Sequence, residues 1–172
     1  EGNRSVRLGN ISTVLRDGDS LVPWEQYALA LIAEVIDERP IYFSSSGNAA
    51  VSLGLTNYLV RQGLAYRLNN GPLEEVESAG GVIRMLPSPY EAVIGQWVDM
   101  PRTHTLLTEV FVHRTGIPDE WTHWPDLATI GIPNYYAWGY LALSQAALQT
   151  SDEELMEQYR ARAEAWSRLG TG

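Results

Sequence analysis

The chain predicts a mixed α/β fold, with a small sheet built on a βαβ unit, flanking helices, and a C-terminal helical hairpin. Three observations carry that expectation. Two β-rich runs, Ile41-Tyr42-Phe43 and Leu64 to Leu68, bracket a segment whose apolar residues Leu55, Tyr58 and Leu59 recur at helical spacing. From Pro89 onward the apolar period is helical throughout. The apolar fraction is 45%, with six Trp and nine Tyr, which supplies enough bulk for a core in 172 residues.

Residues 1–20 form a lead-in. Val6, Leu8, Ile11, Val14 and Leu15 fit one weak strand, and Asp17-Gly18-Asp19 reads as a turn. Pro23 stands where a first-turn proline is tolerated, and Trp24, Tyr27, Ala28, Leu31, Ile32, Val35 and Ile36 recur at helical spacing after it. Arg39-Pro40 stops that helix, because the residue before a proline is pushed out of the α region. Strand 41–43, the loop Ser44-Ser45-Ser46-Gly47-Asn48, a helix ending at Gly63 and strand 64–68 then make the βαβ unit, with parallel strands and a right-handed crossover. Asn69-Asn70-Gly71-Pro72 is a turn, and Val82 to Leu86 is a third strand.

Four helices are expected downstream, over Tyr90 to Val98, Arg102 to Arg114, Asn134 to Gln149 and Asp152 to Leu169. The last two form the hairpin, with Ser151 and Glu154 at capping-box spacing. Tyr136, Tyr140, Leu143 and Ala147 face Leu155, Tyr159, Ala163 and Trp166 across one seam, which resembles a single tetratricopeptide unit in size. Residues 1–88 thus carry the α/β part and 89–172 the helical part, packed as one globular domain.

A formal charge of −9 argues against nucleic acid as a partner, since binders of a phosphate backbone present a basic surface. All twelve basic residues are Arg, so Schiff-base chemistry and a P-loop lysine are excluded. With no Cys there is no thiol nucleophile, thiolate metal site or disulfide. His104, His113 and His123 match no zinc spacing, so no metal or other cofactor is expected. Glu109 and His113 lie four apart on one expected helix and read as an ordinary surface pair. No Gly-x-Ser-x-Gly elbow occurs, and no catalytic residue is assigned.

Two stretches are candidates for ligand binding. Ser44, Ser45, Ser46, Gly47 and Asn48 leave the carboxyl end of a strand, where α/β sheets bind ligands and free N–H groups hold anions. Trp121, Trp124, Asp126, Asn134 and Tyr135 belong to a proline-bounded aromatic loop and the helix after it; such rings contact sugars or peptides, or pack as a structural lid. Asp119 and Glu120 beside the two Trp also invite a glycosidase reading, which their adjacency in sequence disfavours.

The run Arg39-Pro40-Ile41-Tyr42-Phe43, followed by Leu53-Gly54-Leu55-Thr56-Asn57-Tyr58-Leu59 and by Gln62-Gly63-Leu64-Ala65-Tyr66-Arg67-Leu68, resembles the C-terminal extramembrane part of the bacterial protein O-mannosyltransferase-like membrane family, a domain-of-unknown-function group. Trp124-Pro125-Asp126 and Ile132-Pro133-Asn134-Tyr135-Tyr136 follow the later pattern more loosely. The resemblance implies many transmembrane helices ahead of Glu1, a lipid-linked sugar donor, and a catalytic acid in an early membrane loop outside this stretch. On that basis the chain is expected to be a non-catalytic accessory domain of a membrane glycosyltransferase-like protein. It would lie on the extracytoplasmic side of a bacterial membrane, partnered by the transmembrane region of its own polypeptide and by acceptor protein or glycan. A sugar- or phosphate-binding enzyme domain and a protein–protein interaction module are the alternatives. A first residue of Glu rather than Met fits an excised or processed segment.

Overall fold

The computed structural model describes residues 4–15, 21–45, 49–73 and 80–171. It is mixed α/β, with a five-stranded sheet, flanking helices and a packed C-terminal helical pair. The lead-in is a hairpin rather than one strand: β1 (Arg4–Leu8) pairs antiparallel with β2 (Ile11–Leu15). Its two-residue loop is Gly9-Asn10, and Gly9 at φ 57 supplies the left-handed turn that matches strand twist. The expected turn at Asp17 to Asp19 lies outside the described residues.

Helix α1 (Pro23–Val35) starts with Pro23 in its first turn, and the Glu25 carboxylate accepts the Val22 N–H at 3.0 Å. It buries Leu29, Ile32 and the following Ile36 against the hairpin and the sheet, and turns Trp24, Tyr27 and Leu31 outward. The buried stripe is therefore rotated from the one the sequence predicts.

Strand β3 (Ile41–Ser44) begins after Pro40 as expected. Helix α2 (Ala49–Ser52) is a single turn, and β4 (Leu59–Gln62) occupies the second half of the predicted helix. Gly63, read from sequence as a helix C-cap, is instead the first residue of the two-residue turn Gly63-Leu64 into β5 (Ala65–Leu68), with φ 63. β5 lies between β3 and β4 and is antiparallel to both. The expected parallel pairing of 41–43 with 64–68 is thereby corrected. It is β3 and β4, on either side of β5, that run in the same direction.

β6 (Val82–Arg84) is shorter than predicted, and the expected helix from Tyr90 to Val98 divides into one turn, α3 (Glu91–Ile94), and a strand, β7 (Trp97–Asp99). Gly95 at φ 84 separates them. β7 pairs parallel with β4 and antiparallel with β6, giving the order β3-β5-β4-β7-β6. The register aligns Phe43, Tyr66, Arg61, Val98 and Ile83 in one row across the sheet.

Helix α4 (Met100–Thr105) is capped by Asp99, whose side chain accepts the Arg102 N–H at 3.0 Å. It widens into a π-helical turn, Leu106–Val110, and stops there, short of the predicted Arg114. Helices α5 (Gly131–Gln149) and α6 (Glu153–Leu169) form the expected hairpin. Its cap differs from expectation: Asp152, not Ser151, accepts the Leu155 N–H at 3.0 Å, and Ser151 makes the turn at φ 60. Leu143, Ala147, Tyr159, Ala163 and Trp166 close the predicted seam. Val98 of β7 and Met85, just past β6, pack on Ala142 and Ala146, which seats α5 against β7.

Candidate functional site

The π turn widens the helix by one residue per hydrogen bond, a distortion frequent at functional sites. Here it faces the hairpin. The Tyr140 hydroxyl donates to the Leu107 carbonyl at 3.2 Å, and His104, half a turn before the distortion, meets the Tyr159 hydroxyl at 2.8 Å through Nδ1. A cleft of about 390 Å³ opens between α4, the π turn and α6, with Leu107 and Leu155 as apolar floor and His104, Tyr140, Tyr159 and Arg162 as polar wall. Among the described residues no carboxylate lines it. Asp119, from the loop before α5, pairs with Arg162 Nη1 at 2.7 Å just outside.

Burial raises the Tyr140, Tyr159 and Tyr136 hydroxyls above their ordinary value, with the Arg162 cation partly opposing the shift at Tyr140. These phenols keep their protons at neutral pH; the Tyr140 hydroxyl gives its proton to the Leu107 carbonyl, and the Tyr159–His104 bond takes its direction from the imidazole tautomer. The wall then offers a cation, two hydroxyls, an imidazole and the Gln158 carboxamide around an aromatic surface. Behind it Tyr136 stacks on Trp166 with centroids 4.2 Å apart, and His113 sets its edge on Trp166 at 5.3 Å. His113 lies beyond the π turn, which ends at Val110, so Glu109 and His113 do not share a helix.

The aromatic loop singled out in the sequence supports this cleft rather than lining it. Trp121 and Trp124 lie 6.0 Å apart and pack on the hairpin core, and Trp124 Nε1 donates to Thr129 Oγ1 at 2.9 Å. Asp126 caps the short turn Leu127–Thr129, accepting from Ala128 N at 3.0 Å and Thr129 Oγ1 at 2.9 Å. Tyr135 sets its edge on Trp138 at 5.2 Å, away from the cleft, and Asn134 packs so close to Gly170 that a Cβ there would sit 2.3 Å from its Oδ1. The Asp126 carboxylate is thus committed to a cap and that of Asp119 to Arg162.

Ser44 and Ser45, from the other candidate stretch, line a separate cavity against the sheet, and Ser46, Gly47 and Asn48 lie outside the described residues. The helix after them is one turn long, too short for the anion site expected of a strand–loop–helix junction.

Comparison of the chain with family models, with curated proteins and with solved structures finds no match. Among the described residues no cluster of three or more His, Asp or Glu could hold a metal, and no helix is long and apolar enough to cross a membrane. In the sequence Tyr140 and Tyr159 belong to the hairpin seam and His104 is one of three imidazoles, with no spacing that joins them. The π turn that brings them together leaves no pattern in the sequence.

Proposed function

We propose that this chain is a non-catalytic accessory domain of a larger bacterial membrane glycosyltransferase-like protein, held on the extracytoplasmic side beside the transmembrane region of the same polypeptide. In this reading the cleft between α4 and the hairpin receives acceptor polypeptide or glycan and presents it to chemistry carried elsewhere. The observation that supports it most is the composition of the wall. Aromatic rings bury ligand area with little loss of side-chain entropy, and the Arg162 guanidinium and Gln158 carboxamide beside an apolar floor suit carbonyl and hydroxyl acceptors. The net charge of −9 keeps nucleic acid out of the proposal.

The test uses the full-length protein with Arg162→Ala, and separately Leu155→Trp, which obstructs the cleft from its half-buried floor. Both are expected to reduce glycosylation of the acceptor at least tenfold, Arg162→Ala through the loss of one charged hydrogen bond at about 1.5–3 kcal/mol and Leu155→Trp by filling the cleft. The thermal unfolding of the 172-residue chain with each substitution controls for folding. Unchanged acceptor glycosylation with both folded variants refutes the proposal.

A further inference from the structure

The cavity at the end of β3 is distinct from the cleft and does not depend on how the cleft is read. It encloses about 330 Å³, near the lower bound of the roughly 300–1,000 Å³ typical of ligand pockets. Its floor is the aromatic pair Phe43 and Tyr66, neighbours in register on β3 and β5, with Leu59 beside them. The rim carries Ser45, whose Oγ donates to the Leu64 carbonyl at 2.8 Å, and a pair from α3 and its exit, in which Gln96 Nε2 donates to Glu91 Oε1 at 2.8 Å.

The backbone is built to bring that pair close to the floor. Gly95, at φ 84, lies so near Tyr66 that a Cβ would stand 2.8 Å from its Cε1. Tyr66 is itself held from behind by Arg61, whose buried guanidinium lies 4.6 Å from the ring centroid and donates to the phenol oxygen.

We propose that this cavity binds a neutral, polyhydroxylated ring of monosaccharide size. A carboxylate accepts through about four lone-pair sites, of which the contact from Gln96 uses one, and a carboxamide both donates and accepts. Vicinal hydroxyls, each donor and acceptor at once, match such a pair, and the ring's C–H face lies on the aromatic floor. Charge selects against the alternatives. Glu91 opposes a phosphate or carboxylate in the cavity, and the Arg61 guanidinium behind Tyr66 opposes an ammonium group.

The test is an amide NMR titration of the whole chain with D-glucose, D-galactose and D-mannose, and in parallel with glucose 6-phosphate and glucosamine. At least one neutral hexose is expected to shift the Ala50, Gly95 and Gln96 amides with a millimolar Kd, and the charged analogues to bind at least about tenfold more weakly. Glu91→Ala and Gln96→Ala are expected to raise the hexose Kd about tenfold or more. Ala92→Trp, on the exposed rim, obstructs the mouth without touching the core and is expected to abolish the shifts; its spectrum elsewhere reports that the fold is intact. The proposal is overturned if no hexose shifts these amides at tens of millimolar, if a charged analogue binds as tightly, or if folded Ala92→Trp binds as the parent does.

Discussion

Raising the pH should unfold this protein through the cleft tyrosines. Burial raises Tyr140 and Tyr159 above 10.0, and both are nearly inaccessible to solvent, at 3% and 6%. A phenol is neutral until it loses its proton, so the unfolded chain releases its protons from pH 10.0 while the folded chain retains them. The folded state then binds more protons, and stability falls as pH rises from there towards the folded values; below 10.0 the contribution is fully present. Each fully separated group contributes a slope of about 1.4 kcal/mol per pH unit, so two give at most about 2.8 kcal/mol per pH unit. Tyr136 is raised by burial too and acts in the same direction. Urea unfolding followed by tryptophan fluorescence, at fixed pH values from about 8 to about 11, measures the slope. Tyr140→Phe with Tyr159→Phe costs about 1 kcal/mol per lost hydrogen bond near neutrality and should flatten the alkaline limb. Burial lowers Arg61, which acts with the opposite sign, but it is present in both proteins and cancels in the comparison. Parallel loss of stability in parent and double variant above pH 10 would refute the reasoning.

Two further predictions concern the frame of the cleft. Gly139→Ala places a Cβ 2.9 Å from Cδ1 of the buried Leu107, so that side chain must shift within packed surroundings; a loss of about 1–3 kcal/mol in urea unfolding is expected. Asp152→Ala removes the cap on Leu155 N and should cost about 1 kcal/mol, whereas Ser151→Gly, at a residue with φ 60, should cost nothing or stabilise. A larger loss from Ser151→Gly than from Asp152→Ala in the same assay would restore the capping box read from the sequence.

What the sequence made legible follows from how local each determinant is. Helices α5 and α6 were legible because sixteen or more residues repeat one period, and the strand at Ile41 because Pro40 forces the chain out of the helix. The β4–β5 hairpin was not, because Leu55, Tyr58 and Leu59 satisfy helical spacing and Gly63 serves a helix end as well as a two-residue turn. Pairing with β7 in the folded sheet, which is non-local, decides between them. Gly9-Asn10 is a hairpin signal that the sequence does display, between residues too weakly alternating to stand out. For the proposed cavity, Ser44 and Ser45, which line it, were singled out in the sequence because strand ends are general binding positions. Glu91 and Gln96 were not, since they reach the same cavity only through the α3–β7 segment expected to be one helix.

The cavity and the cleft rest on a common support. Arg61 is fully buried, and an isolated buried ion costs several kcal/mol, so its presence at the centre of the sheet calls for compensating contacts. Its Nη1 donates to the Gly63 carbonyl at 3.0 Å, and its Nη2 to the Tyr66 phenol. Its own carbonyl accepts the Thr103 hydroxyl at 3.2 Å, and that same hydroxyl oxygen accepts the Gly63 N–H at 3.1 Å. The β4–β5 turn is thereby pinned to α4, and only a glycine fits there, because a Cβ on Gly63 would press on Leu106 and Phe111 at 3.1 and 3.0 Å. An apolar residue in place of Arg61 fills volume but holds neither the turn nor the floor ring. Tyr66 forms the floor of the cavity and Thr103 immediately precedes His104 of the cleft, so Arg61 touches both: its guanidinium holds the floor ring and the Gly63 carbonyl, and its main-chain carbonyl holds the Thr103 hydroxyl.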